Sequence, residues 1–73
     1  TLIDSKTKLQ EFSLKKFKVL PKYISTKKTG PQHSPVFKTE VQIPNSKKVI
    51  GIAKSKKNAQ QDAANKLLKI LNI

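Results

Sequence analysis

From Val36 to Ile43 the chain alternates with a period of two. Phe37, Thr39, Val41 and Ile43 fall on one side of an extended strand; Lys38, Glu40 and Gln42 fall on the other. Such a strand buries one face and shows the other to water, so something must cover its apolar side. The cover is legible further on. Ser55 is a natural N-cap for a helix running to about Asn72, with Ala59, Ala63, Leu67, Ile70 and Leu71 recurring at helical spacing and Ala64 and Leu68 at the edge of that stripe. Three alanines in the stripe let the helix approach a sheet closely.

The remaining elements complete a two-layer arrangement. After a lead-in over residues 1–4, Asp4 caps a helix of about 5–16, which ends before Pro21. Leu9, Phe12, Ser13 and Lys16 share one side of it; Thr7, Gln10, Glu11 and Leu14 share the other. Leu9 and Phe12 face the core, helped by Phe17 and Leu20 beyond the helix end. Pro21 opens a strand over 21–28, and two prolines and a glycine mark a turn at 29–35. The alternating strand covers 36–43, Pro44-Asn45-Ser46 makes a tight turn, and a third strand covers 48–54. The order predicts one α+β domain over residues 1–73, α-β-β-β-α, with two helices packed on one face of a three-stranded antiparallel sheet.

Size and composition remove several functional classes. A chain of 73 residues buries only about 60% of its unfolded surface and has no room for a deep catalytic cleft. Cysteine is absent, so there is no disulfide framework, thiolate zinc site or cysteine nucleophile; a disulfide-free small domain fits the cytoplasm. No apolar run has membrane-helix length, no secretory signal pattern is present, and a start at Thr1 in place of Met suggests a fragment of a longer protein. The four carboxylates, Asp4, Glu11, Glu40 and Asp62, are scattered, and His33 is the sole histidine. Neither set makes a catalytic or metal centre, so no catalytic residue, metal ligand or cofactor is expected in this chain.

The net charge is +12, all sixteen cations being lysine. Such an excess selects a polyanionic partner, nucleic acid or an anionic surface. Arginine, the usual bidentate reader of guanine edges, is missing, which favours phosphate contact over base readout; a compositional bias toward lysine explains the same absence. The lysines are placed tellingly at the last helix start. Lys56 and Lys57 occupy a first turn where the helix dipole prefers acids, at a cost of roughly 0.3–1 kcal/mol each at low salt. Free N–H groups, the Ser55 hydroxyl and two ammonium groups there form an anion trap. Ser55 also serves simply as the cap. Thr7, Gln10 and Glu11 lie at i, i+3 and i+4 on the outward side of the first helix. Gln10 both donates and accepts, as a ribose 2′-hydroxyl does, and a carboxylate at Glu11 is suited to a hydroxyl or base amino group in a shallow minor groove. The bland alternative for Glu11 is an ion pair with Lys15. His33 sits in a turn stiffened by Pro31 and Pro35, either as a loop tip for a groove or as an idle turn residue.

Three segments resemble the double-stranded RNA-binding domain in order and spacing: Lys6-Thr7-Lys8-Leu9-Gln10-Glu11-Phe12, Gly30-Pro31-Gln32-His33-Ser34-Pro35-Val36-Phe37, and Gly51-Ile52-Ala53-Lys54-Ser55-Lys56-Lys57-Asn58-Ala59 through Ala63-Ala64. The stretch from Asp4 to Phe12, followed by Leu20-Pro21-Lys22-Tyr23, is similar to the C-terminal domain of bacterial ribonuclease III. The resemblance implies binding of A-form RNA by shape. Thr7, Gln10 and Glu11 would meet one minor groove and Pro31, Gln32 and His33 the next, with Ser55, Lys56, Lys57 and Gln60 on the phosphates between, over about 16 base pairs. Two departures stand out: Ala53 replaces a usual glycine, and Gln60 occupies a position where many relatives outside ribonuclease III carry a third lysine. The resemblance further implies a parent endonuclease with a separate magnesium-dependent catalytic domain, homodimeric through that domain and cytoplasmic. The alternatives are the same domain in a non-nuclease protein, or a basic protein-interaction or membrane-surface module, which the alanine-rich last helix fits poorly.

Overall fold

The computed structural model describes residues 4–28 and 36–73, with the backbone alone at 26–28. The turn at 29–35, and with it Pro31, Gln32 and His33, lies outside the described residues. The elements are α1 (Ser5–Phe17), β1 (Lys22–Lys28), β2 (Val36–Gln42), β3 (Val49–Ala53) and α2 (Lys56–Leu71). The strands form an antiparallel meander in the order β1-β2-β3, with Tyr23 opposite Val41 and Val41 opposite Val49. This is the expected α-β-β-β-α fold.

The alternation in β2 is realised as read. Thr39, Val41 and Ile43 are buried, while Gln42 is exposed. Thr39 is the polar member of the buried face, and its hydroxyl is satisfied by Ser25 Oγ at 3.0 Å on the facing strand. The β2–β3 turn has the chemistry of a type II turn: Pro44 leads, Asn45 takes φ 63°, and the Ser46 N–H donates to the Ile43 carbonyl at 3.2 Å. The opposite face of the sheet is open and carries Ile24, Ile50 and Ile52.

Helix α2 lies on the sheet, and α1 packs along its side. Leu9, Val41, Ile43, Val49, Ala63, Ala64, Leu67 and Leu68 form one buried cluster. Four expectations about this core need correction. Ala64 and Leu68 are fully buried and not marginal, at 0% and 5% exposure, whereas Ile70 is 69% exposed. The reason is that α2 is wedged between two partners. A stripe facing the sheet alone would centre on Ala59, Ala63 and Leu67; burial against α1 as well widens it toward Ala64 and Leu68 and leaves Ile70 outside. Leu20 is likewise 59% exposed. Lys18 ends α1 in the left-handed region (φ 65°), and the chain then turns away from the core. That turn is held by the buried Ser13, whose hydroxyl donates to the Val19 carbonyl at 2.7 Å. Lys16, on the inward side by periodicity, is exposed and lays its ammonium over the Phe12 and Phe17 rings at 5.6 and 5.8 Å.

The closeness of α2 to the sheet requires Gly51. A Cβ at this position would stand 2.4 Å from the Ala59 carbonyl oxygen and 2.3 Å from the Ala63 nitrogen. The three small residues Gly51, Ala59 and Ala63 bring helix and strand backbones together. A second tie reaches the sheet edge. Asp62 accepts a hydrogen bond from the outward N–H of Ile52 at 3.0 Å and pairs with Lys66 at 2.9 Å. Edge donors of this kind invite pairing with other chains, and Asp62 occupies one of them.

Candidate nucleic-acid interface

Two exposed surfaces carry the residues singled out by sequence. On α1, Thr7, Gln10 and Glu11 are exposed together, and Leu14 continues the patch at 40% exposure. Among the described residues Glu11 makes no ion pair, so the bland pairing with Lys15 is not formed. The helix start beneath this patch is ordered by Asp4, whose Oδ1 accepts from the Lys6 and Thr7 amides at 3.0 and 3.3 Å.

At the start of α2, Ser55 adopts an extended backbone and its Oγ accepts from the Asn58 amide at 3.1 Å. The Ser55 carbonyl takes the Ala59 amide at 2.9 Å. The amides of Lys56 and Lys57 therefore remain without an intrahelical acceptor, as helix geometry dictates. The Ser55 hydroxyl uses its oxygen for the cap and keeps its proton for an outside acceptor. Lys56 and Lys57 are both exposed, and the first turn holds no acid. This end of α2 carries amide donors, a hydroxyl donor and two exposed lysines, groups suited to an anion.

The two surfaces are tied to each other. The Lys6 ammonium donates to Gln60 Oε1 at 2.8 Å, and the Lys6 amide donates to Gln61 Oε1 at 3.3 Å. Gln61 Nε2 donates in turn to Asp4 Oδ1. The Lys6 ammonium also sits 5.3 Å from the centre of the Tyr23 ring. The first turn of α1 is thus pinned to the second turn of α2, which fixes the separation between the Gln10 patch and the Lys56–Lys57 turn. The structure engages Gln60 with the Lys6 ammonium.

Two of the four acids are held ionised in structural bonds, Asp4 between the starts of the two helices and Asp62 at the β3 edge. The hydrogen bond from Gln61, followed by that from the Thr7 amide, holds the Asp4 carboxyl below its ordinary pKa. The hydrogen bond from Lys66 does the same for Asp62. The Tyr23 phenol is pushed up to about 12 by burial, with the nearby Asp4 charge adding to it. No three acidic or histidine side chains gather among the described residues.

Sequence reasoning did not find the roles of Gly51, Gln61 and Asp62. A glycine inside an apolar strand signals close backbone approach, so Gly51 was discoverable. Gln61 and Asp62 reach α1 and β3 respectively, contacts set by how α2 is rotated, and no local pattern encodes that.

Comparison with known proteins agrees with this geometry. A family model described as double-stranded RNA binding motif matches residues 5–71. Ribonuclease 3 of Pelagibacter ubique (strain HTCC1062) is 55% identical over 64 residues, which are 88% of this chain and 29% of that protein. Ribonuclease 3 of Rhizobium leguminosarum bv. trifolii (strain WSM2304) is 45% identical over 65 residues, 89% of this chain and 27% of that protein. The chain therefore spans less than a third of the length of these relatives. Among solved structures, the second double-stranded RNA-binding domain of DRB4 superposes with a TM-score of 0.70 at 32% identity, covering 96% of this chain and 97% of that one. With the fold, the lysine-led helix start and the matched span in agreement, the chain belongs to the double-stranded RNA-binding motif family, as a non-catalytic RNA-binding module homologous to part of bacterial ribonuclease III.

Proposed function

We propose that this module reads A-form geometry through two separated contacts and serves a ribonuclease III-type endonuclease as its RNA-holding domain. The observation that carries the reading is the rigid pairing of two unlike surfaces. One is a hydroxyl- and amide-seeking patch at Thr7, Gln10 and Glu11; the other is a phosphate-seeking turn at Ser55, Lys56 and Lys57. The Lys6–Gln60 and Gln61–Asp4 hydrogen bonds hold them at one spacing. A wide, shallow RNA minor groove displays 2′-hydroxyls, and the phosphates of the neighbouring major groove stand beside it. A DNA duplex offers phosphates but neither the hydroxyls nor that groove spacing. In this reading Pro31, Gln32 and His33 enter a second minor groove.

The parent enzyme in this reading is a cytoplasmic homodimer, and magnesium supplies the Lewis acid for phosphodiester cleavage in a separate catalytic domain. This chain's carboxylates do not fit such an ion: they gather in no cluster of three, and Asp4 and Asp62 are engaged structurally. The module holds and positions RNA.

The test is titration with an RNA duplex, the DNA duplex of the same sequence, and single-stranded RNA at moderate salt. Preference for the RNA duplex is expected. Equal affinity for the two duplexes would refute recognition by A-form shape.

A further inference from the structure

We propose that Lys6, from α1, supplies the third cation of the phosphate grip at the start of α2, and that Gln60 holds it there. The inference rests on the RNA-binding reading above and assigns a residue of that site.

Lys56, Lys57 and Gln60 fall on neighbouring turns of one side of α2, because positions three and four apart are adjacent on a helix. Gln60 itself is uncharged. Its Oε1, however, accepts the Lys6 ammonium at 2.8 Å, so a positive charge stands at the head of the Gln60 side chain. Lys6 is held at both its side-chain tip and its backbone. The Lys6 amide is bound to Gln61 Oε1 at 3.3 Å, and the Tyr23 ring lies under the charge at 5.3 Å.

The charge is also unspent. An ammonium group has three N–H donors, and Gln60 takes one. Among the described residues no carboxylate lies within ion-pair distance of Lys6: the nearby Asp4 carboxylate is engaged by the Lys6 and Thr7 amides and by Gln61. The amide of glutamine matters here. A glutamate at position 60 would hold Lys6 equally well but would cancel its charge. Glutamine orients the cation and leaves it available to a phosphate. The location suits the task, since Lys6 directly precedes Thr7 and so lies at the seam between the minor-groove patch and the phosphate turn.

The test compares the parent chain with Lys6→Gln and with Lys6→Gln/Gln60→Lys, each titrated with one RNA duplex across a fourfold range of salt. Glutamine has nearly the helix propensity of lysine, and circular dichroism with thermal melting checks that each variant is folded. Each phosphate contact contributes roughly 0.7–0.9 to the slope of log affinity against log salt. Loss of one contact is therefore expected to make the salt-induced fall in affinity about threefold smaller in Lys6→Gln. The double variant returns a cation to the same place from α2 and is expected to restore the parental slope, which a merely structural role for Lys6 would not produce. Parental binding with an unchanged slope in Lys6→Gln would overturn this inference, as would a lowered slope that Gln60→Lys fails to restore. Failure of the parent itself to bind duplex RNA would instead overturn the RNA-binding reading.

Discussion

Replacing Gly51 with alanine puts local propensity and tertiary packing in direct opposition. By propensity, alanine in a strand interior is favoured over glycine by roughly 0.5–1 kcal/mol, because it restricts the unfolded chain. By packing, the new methyl would lie 2.4 Å from the Ala59 carbonyl oxygen, 2.3 Å from the Ala63 nitrogen and 2.8 Å from the Ala63 Cα. All three are backbone atoms of α2, so no rotamer change relieves the overlap. The helix must withdraw from β3 by about 1 Å, and the buried contacts of Ala63 and Leu67 loosen with it. Overpacking of this kind costs about 1–3 kcal/mol. A 73-residue domain has a total stability of only about 4–11 kcal/mol on the usual per-residue scale. At this size each kcal/mol moves the melting temperature by about 4–8 °C. Set against a propensity gain of about 0.5 kcal/mol, the net cost is about 0.5–2.5 kcal/mol, and Gly51→Ala is therefore expected to melt about 2–20 °C below the parent by calorimetry or circular dichroism. Adding Ala63→Gly is expected not to rescue it, because removing the Ala63 methyl leaves the obstructing backbone in place. A Gly51→Ala melting temperature equal to or above the parent's would refute the close approach of α2 to β3.

Other perturbations address the charges and caps. Lys56→Ala/Lys57→Ala is expected to weaken binding to all duplexes and lower the salt slope by about 1.5–2, read from titrations at several salt concentrations; an unchanged slope places these lysines away from phosphates. Ser55→Ala removes the acceptor of the Asn58 amide and is expected to cost about 1 kcal/mol, a fall of several degrees in melting temperature. The Tyr23 phenol has its folded pKa raised from 10.0 to about 12, so the fold binds its proton more tightly than the unfolded chain does. That contribution to stability is complete below pH 10 and fades as pH rises toward 12; phenolate absorbance is expected to develop near pH 12, and a midpoint near 10 would show the hydroxyl to be solvated. Asp62→Ala frees the Ile52 edge donor and is expected to cost about 0.5–1.5 kcal/mol and to promote concentration-dependent self-association in sedimentation.

What was legible in the sequence was whatever repeats along one element. The alternation from Phe37 to Ile43 sets register and buried face without reference to the rest of the chain, because slipping by one residue would put every apolar side chain in water. The outward position of Thr7, Gln10 and Glu11 follows from helical periodicity alone. The cap at Ser55 is a local rule obeyed, and Lys56–Lys57 a local rule broken, and both are visible in a few residues. The misread residues are those whose surroundings come from a second or third element. Ile70 and Leu68 exchange burial because α2 answers to α1 as well as to the sheet. Leu20 is exposed because the left-handed turn at Lys18 redirects the chain. The bond between Gln60 and Lys6 was likewise not legible, because nothing near Gln60 in sequence reveals that the Lys6 ammonium lies across the helix interface.

These observations converge on the placement of α2. Gly51 and Asp62 fix the helix to β3, one by allowing close approach and the other by bonding the strand edge. Gln60 and Gln61 fix it to α1. Gly51 lies on β3 and the other three are consecutive positions of α2, so the helix's height above the sheet, its angle to α1 and its rotation are determined together. The spacing between the α1 patch and the Lys56–Lys57 turn depends on all of these. A recognition surface that measures shape is therefore only as accurate as the interfaces under it, and interiors packed to crystalline density transmit a shift of about 1 Å with little absorption. In the proposed reading, buried residues such as Gly51 thus govern how well the exposed residues match RNA. This is why a domain with so thin a core places glycine and alanine, its least space-filling residues, where the helix and the sheet meet.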